Sequence, residues 1–129
     1  MTKISDDVRR LLDGPNTAHL ATLLPDGSPH SVPVWIGMVG EQVAFQTGPG
    51  SRKGRNVARD PRVSVSVTDH AQPFTMAQVR GRVTGRIEGD AAWEIIDRIA
   101  AKYIGCPYPD HGDDRVVFLI EPDHVQTTA

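Results

Sequence analysis

Residues 62–68 read Arg-Val-Ser-Val-Ser-Val-Thr. Val63, Val65 and Val67 fall on one side of an extended chain, and Ser64 and Ser66 on the other. A period of two fits a half-buried strand and no helix. Similar stretches recur at 18–24, 29–39, 42–47, 75–87, 115–121 and 124–128, separated by turn chemistry. Pro25-Asp26-Gly27-Ser28 and Gly40-Glu41 are short enough to join antiparallel neighbours, so 18–47 reads as a meander. Pro33 marks 29–39 as an edge or bulged strand, because proline brings no N–H to a ladder.

Three helices punctuate the strands. The first, over 4–13, has Ser5 as its cap, Asp6 and Asp7 in its first turn, and Val8, Leu11 and Leu12 on one face. The second, over 51–59, starts at Ser51 and stops before Asp60-Pro61. The third, over 90–104, carries Ala92, Ile95, Ile96, Ile99 and Tyr103 as an apolar stripe and ends at Gly105. Hairpins dominate and no βαβ crossover is evident. The expected fold is mainly β with short helices at the rim: a small antiparallel barrel of about six to seven strands. At 129 residues the chain reads as one domain, 1–129.

Composition excludes several classes. A net charge of −2 is wrong for a protein that coats nucleic acid. The single cysteine, Cys106, excludes a disulfide-stapled scaffold and reads as a plain structural thiol. No apolar run approaches the ~20 residues that span a bilayer, and the first residues show no apolar signal core. A cytoplasmic protein without membrane or nucleic-acid partners is expected. The five histidines fall at no metal-ligand spacing. Asp110, His111, Asp113 and Asp114 read as a solvated loop, so no metal site is expected.

The chemistry concentrates at 48–56, Gly-Pro-Gly-Ser-Arg-Lys-Gly-Arg-Asn. It follows a strand and opens a helix, but matches neither a Walker A loop nor GxGxxG. A serine hydroxyl, free first-turn amides and Lys53 together suit an anion. Residues 51–62 hold five basic side chains against one acidic, a local charge of +4. Arg80, Arg82 and Arg86 add three more cations on a later strand.

With these residues in view, the chain resembles the pyridoxamine 5′-phosphate oxidase-like, FMN-binding split β-barrel superfamily. The resemblance runs from about residue 8 to 122. It rests on Gln46-Thr47 before Ser51-Arg52-Lys53, on Asp60-Pro61-Arg62-Val63, on Thr22-Leu23-Leu24-Pro25-Asp26-Gly27-Ser28-Pro29-His30 with Pro33-Val34-Trp35, and on Gln78-Val79-Arg80-Gly81. Lys102-Tyr103-Ile104-Gly105 is similar to an actinobacterial subgroup that uses the deazaflavin coenzyme F420.

The resemblance implies a homodimer with cofactors in clefts between subunits. Pro33, Val34 and Trp35 would lie along the tricyclic ring. Gln46 and Thr47 would reach the ring edge or ribityl chain. Ser51, Arg52 and Lys53 would hold the phosphate. Gln78 and Arg80 would approach from the partner subunit or the adjoining strand. Arg55 and Arg59 would steer the anionic tail of F420. Asn56 is read as a structural residue with local hydrogen bonds. The expected activity is F420-dependent hydride transfer to a small unsaturated organic substrate. An FMN-binding protein of the same fold, or a non-catalytic flavin or haem carrier with His30 near the cleft, are the alternatives. No catalytic residue is assigned; Tyr103, Tyr108 and His111 are weak proton-donor candidates. The segment Glu121–Ala129 lacks the arginines with which the oxidases bind a vitamin B6 phosphate, so that substrate is not expected.

Overall fold

The computed structural model describes residues 2–112 and 114–129. Helix α1 (Asp6–Asp13) is followed by strands β1 (Ala18–Leu23), β2 (Pro29–Val34), β3 (Ile36–Val39) and β4 (Gln42–Thr47). Then come helix α2 (Arg52–Arg59), strands β5 (Arg62–Thr68) and β6 (Met76–Ile87), helix α3 (Gly89–Ile104) and strand β7 (Val116–Thr127). All strand pairs are antiparallel, and the seven form one sheet in the order β2-β1-β5-β6-β7-β4-β3.

That order decides the shape. Strands β2 and β3 are the two edges of the sheet, yet only Trp35 separates them in the chain. Laid flat at the usual strand spacing, those edges would be roughly 29 Å apart. Val34 and Ile36, two Cα steps apart, reach at most about 7 Å. The sheet therefore rolls up until its edges meet at Trp35, without a hydrogen-bonded ladder across the seam. The result is a split β-barrel.

The barrel interior is filled by alternate side chains of every strand, including Leu20, Ile36, Phe45, Val65, Val79 and Ile120, all fully buried. Val8 and Leu12 of α1 join the same core from one end. Each such side chain contributes about 1.5–3 kcal/mol through burial. A second, smaller core forms outside the barrel, where Ala92, Ile96 and Ile99 of α3 pack on Ala44 and Val117. Gly37 permits that packing, because a Cβ there would lie 2.9 Å from Ile99 Cγ1. Among the described residues, no helix is long and apolar enough to cross a membrane.

Three expectations change. The stretch 29–39 is two strands: β2 pairs with β1, β3 pairs with β4, and the chain changes partner at Trp35. The meander over 18–47 is accordingly two hairpins at opposite edges. The stretches 115–121 and 124–128 are one strand, β7, because a bulge carries the ladder past Pro122. His124 faces Arg80 and Pro122 faces Gly81, which leaves Asp123 as the extra residue. Arg82 grips the bulge through Asp123 at 2.9 Å and 3.0 Å and Glu121 at 3.1 Å.

Gly81 has no room for a side chain, since a Cβ would come within 2.1 Å of the Glu121 carbonyl oxygen. Gly81→Ala is expected to lower stability in urea by about 2–3 kcal/mol, the cost of forced overpacking. Gly50→Ala, where nothing lies within 4 Å, should stay within about 0.5 kcal/mol of the parent protein. Equal effects would show that the bulge tolerates a side chain.

Candidate functional site

The site is built at the junction of β4 and α2. Thr47 Oγ1 lies 2.7 Å from Ser51 Oγ, and Ser51 Oγ accepts from Gly54 N at 3.1 Å. Gly54 keeps this turn tight: a Cβ there would sit 3.1 Å from both the Gly48 and Pro49 carbonyl oxygens. The first intrahelical bond runs from Arg55 N to Ser51 O at 2.9 Å. The amides at the start of α2 thus precede the helical ladder. Asn56 is fully buried one turn on, and its Nδ2 donates to Thr22 Oγ1 of β1 at 3.0 Å. Its contact is long-range, correcting the expectation of local bonds, and it pins α2 to the barrel.

Beside this junction a cavity of about 400 Å³ opens at the seam of the barrel. One wall is Pro33, Val34 and Trp35. Gln46 and Lys53 line it from β4 and α2. Thr17, Tyr108 and Arg115 complete it. Of the residues expected at the site, Pro33, Val34, Trp35, Gln46 and Lys53 are brought together here. Thr47 is 2% exposed and hydrogen-bonded to Ser51, and neither is among the residues that line the cavity. Arg52 is exposed at the start of α2, outside the cavity lining. Gln78 and Arg80 are not brought to this cavity. On β6 the alternate residues Ala77, Val79 and Gly81 point inward, so Gln78 and Arg80 lie on the barrel's outer face. There Arg80 borders a separate cavity of about 230 Å³ with Arg62, Leu23 and Val63. Arg55 is exposed on α2, and Arg59 donates to the Leu23 carbonyl.

Arg115 is the addition that sequence reasoning missed. It immediately precedes β7, whose register places Val116 opposite Thr47 and Val117 opposite Gln46. Its Nη1 donates to Gln46 Oε1 at 3.3 Å, and its guanidinium carbon lies 5.0 Å from the centre of the Tyr108 ring. Arg115 Nε is buried without a hydrogen-bond partner among the described residues. Burial lowers the pKa of Lys53, and the nearby Arg115 charge lowers it further. No carboxylate lines the cavity among the described residues. Two cations therefore line the same space, an arrangement that an anion relieves.

The aromatic groups around the cavity are each braced. Trp35 stacks on Tyr103 with centroids 5.2 Å apart and planes 5° from parallel. The Tyr103 hydroxyl donates to Asn16 O at 2.7 Å and accepts from Ile36 N at 3.3 Å. Tyr108 is anchored through its amide, which donates to Asp97 Oδ1 at 3.1 Å. His111 Nε2 meets the same oxygen at 2.8 Å and its ring stacks on Trp93. Of the three weak proton-donor candidates only Tyr108 lines the cavity. Asp113 of the acidic loop lies outside the described residues, and no cluster with metal-ligand character occurs among the others. Cys106 is free and exposed. No histidine lines the cavity among the described residues, His30 included.

A family model for pyridoxamine 5′-phosphate oxidase matches residues 4–129. No curated protein matches the chain in sequence. Among solved structures, an F420 reductase is 28% identical with a TM-score of 0.84, covering 95% of this chain and 98% of its own. Rv2991 from Mycobacterium tuberculosis is 24% identical with a TM-score of 0.76, covering 98% and 89% respectively. General stress protein 26 from Bacillus anthracis shares the fold at 19% identity and a TM-score of 0.75, covering 95% and 91%.

Lys102 lies directly behind the Trp35–Tyr103 stack. Its Nζ donates to Leu12 O at 2.9 Å and sits 4.9 Å from the Tyr103 ring centre. Burial pulls its pKa from 10.5 down to about 8; Asp13 opposes the shift and Arg98 adds to it. The folded chain thus binds fewer protons than the unfolded chain between those values, so raising the pH across that window favours folding. Urea unfolding at pH 7, 8, 9 and 10 should show the parent protein gaining stability relative to Lys102→Met as the pH rises. A constant difference would contradict this.

Proposed function

The chain belongs to the pyridoxamine 5′-phosphate oxidase-like family, and from that premise we propose that it is an F420-dependent oxidoreductase acting on a small unsaturated organic substrate. The observation that carries the proposal is the cavity at the barrel seam, with an apolar wall at Pro33–Trp35 and two cations, Lys53 and Arg115, that have no carboxylate beside them in the lining among the described residues. A flat, phosphate-bearing cofactor matches both features. The structure of the F420 reductase, similar along almost its whole length, supports the deazaflavin reading.

In this reading Lys53 and Arg115 hold the phosphate, with Ser51 and Arg52 beside them at the start of α2. Arg115 also aims the Gln46 amide, through its bond to Oε1. Pro33, Val34 and Trp35 provide a dry surface for the ring and exclude water from one of its faces. Thr47 fixes the Ser51 hydroxyl. When bound, the deazaflavin supplies a two-electron hydride carrier, and the protein supplies binding, orientation and electrostatics. Tyr108 is the one phenol on the cavity surface available to meet a substrate.

FMN would use the same phosphate corner. The exposed Arg55 on α2, unneeded by the short FMN tail, favours the longer anionic tail of F420. The homodimer belongs to the same proposal. Helix α3 covers the outer face of β4 and β7, whereas the outer face of β1 and β5 bears small side chains such as Ala21, Ser64 and Ser66. A second copy seated there would cover Gln78 and Arg80.

Titrating the purified protein separately with F420 and FMN, followed by cofactor fluorescence, tests the assignment. F420 is expected to bind. Loss of the charged hydrogen bond in Lys53→Ala should weaken it by about 1.5–3 kcal/mol, and Arg115→Met should behave alike. Tight FMN binding without F420 binding would overturn the cofactor choice, and unchanged affinity in Lys53→Ala would overturn the phosphate corner. Sedimentation velocity at micromolar concentration should show a dimer; a monomer would refute that part.

A further inference from the structure

We infer that Tyr103 is a positioning residue for the cleft: it clamps the seam of the barrel and fixes the plane of Trp35, so that the apolar wall is set before anything binds. The inference rests on the cofactor reading above, but its geometry is that of the free chain.

The seam needs such a device. Across it, β2 and β3 share no ladder, and Trp35 belongs to neither strand. A residue between two edge strands has no regular backbone partner to hold its orientation. Ile36 is fully buried immediately beyond it, so its N–H requires an acceptor. Tyr103 supplies that acceptor at 3.3 Å and passes its own proton to Asn16 O at 2.7 Å. The bond to Asn16 O requires the neutral phenol, and burial raises the Tyr103 pKa in the sense that preserves it, against the opposing pull of the Ile36 N–H.

Asn16 is itself anchored. It is 7% exposed, its Nδ2 donates to Leu11 O at 3.0 Å, and its Oδ1 accepts from His70 N at 2.9 Å. One hydroxyl therefore ties α3 and β3 to a hub that also joins α1 and the β5–β6 turn. The Tyr103 ring then lies parallel to Trp35 on one side and meets the Lys102 ammonium. Trp35 is held through its ring rather than through its backbone.

The two functions of Tyr103 separate by substitution. Tyr103→Phe removes the hydroxyl and keeps the stack; Tyr103→Leu removes both. A Trp93→Phe background leaves Trp35 as the sole tryptophan. Near-ultraviolet circular dichroism and acrylamide quenching then report on Trp35 without any cofactor, and fluorescence titration reports affinity for whichever of F420 or FMN the unaltered protein binds. Val65→Ala, in the barrel core away from the cavity, controls for general destabilisation.

Tyr103→Leu is expected to lose the Trp35 dichroism, to expose Trp35 to acrylamide, and to bind the cofactor about tenfold more weakly, as loss of a stacked aromatic pair implies. Tyr103→Phe should retain the dichroism and lose about threefold in affinity. Val65→Ala should leave both readouts unchanged. Unaltered Trp35 signals and affinity in Tyr103→Leu would overturn the inference, as would equal losses in Val65→Ala. Should Tyr103→Leu fail to fold, an unchanged affinity in Tyr103→Phe would overturn the clamp. Failure of the unaltered protein to bind either cofactor would instead refute the cofactor reading, and with it the placement role, while the Trp35 signals still report whether Tyr103 holds that ring.

Discussion

The fold turns on a single-residue link. Trp35 joins the two outermost strands of a seven-stranded sheet, and a link that short cannot bridge an open sheet. The sheet must roll, and because β2 and β3 pair with different neighbours, the roll ends in a seam instead of a closed ladder. The cavity sits at that seam. Its apolar wall consists of the last residues of one edge and the link itself, while its polar corner comes from Gln46 on the strand next to the other edge, Lys53 of α2 and Arg115 just ahead of β7. A closed barrel would place a ladder where this chain leaves a groove. The same constraint explains why a tyrosine from the outer helix reaches in to satisfy a buried amide: no strand is there to do so.

Electrostatics distinguish this groove from the rest of the surface. Arg62, Arg82 and Arg86 all have carboxylate partners within 3.1 Å. The pairing with Arg62 lowers the Asp60 pKa to about 2. Lys53 and Arg115 have each other instead, and the depressed lysine pKa records burial and that proximity. Exposed ion pairs contribute little to stability. Two half-buried cations without a carboxylate among the described residues are a cost in the free chain, and a bound anion offsets it. Of the basic residues counted along the chain, Arg62, Arg82 and Arg86 are paired at the surface, and Lys53 lines the cavity.

Much of this was legible in the sequence, for local reasons. Ser5 and Ser51 cap helices where side-chain acceptors precede apolar or amide-rich turns, and both cap bonds form. The valine alternation of β5 and the edge position forecast by Pro33 follow from strand parity and the missing N–H. Long-range partners were not legible. Arg115 reaches the cavity only through the β4–β7 register, and nothing near it in the chain announces it. Asn56 looks like a helix residue until β1 is beside it. For Gln78 and Arg80, inward-facing Val79 between them already places both on the outer face by parity. The break at Trp35 was hidden because an extended chain looks the same whether or not it changes partner.

The most direct test of the account is a crystal structure of the protein with F420. The account predicts the cofactor phosphate within hydrogen-bonding distance of Lys53 and Arg115, with the deazaflavin ring against Pro33, Val34 and Trp35 at the barrel seam. A phosphate bound instead by Arg62 and Arg80 on the outer face, with the seam cavity left open, would contradict it.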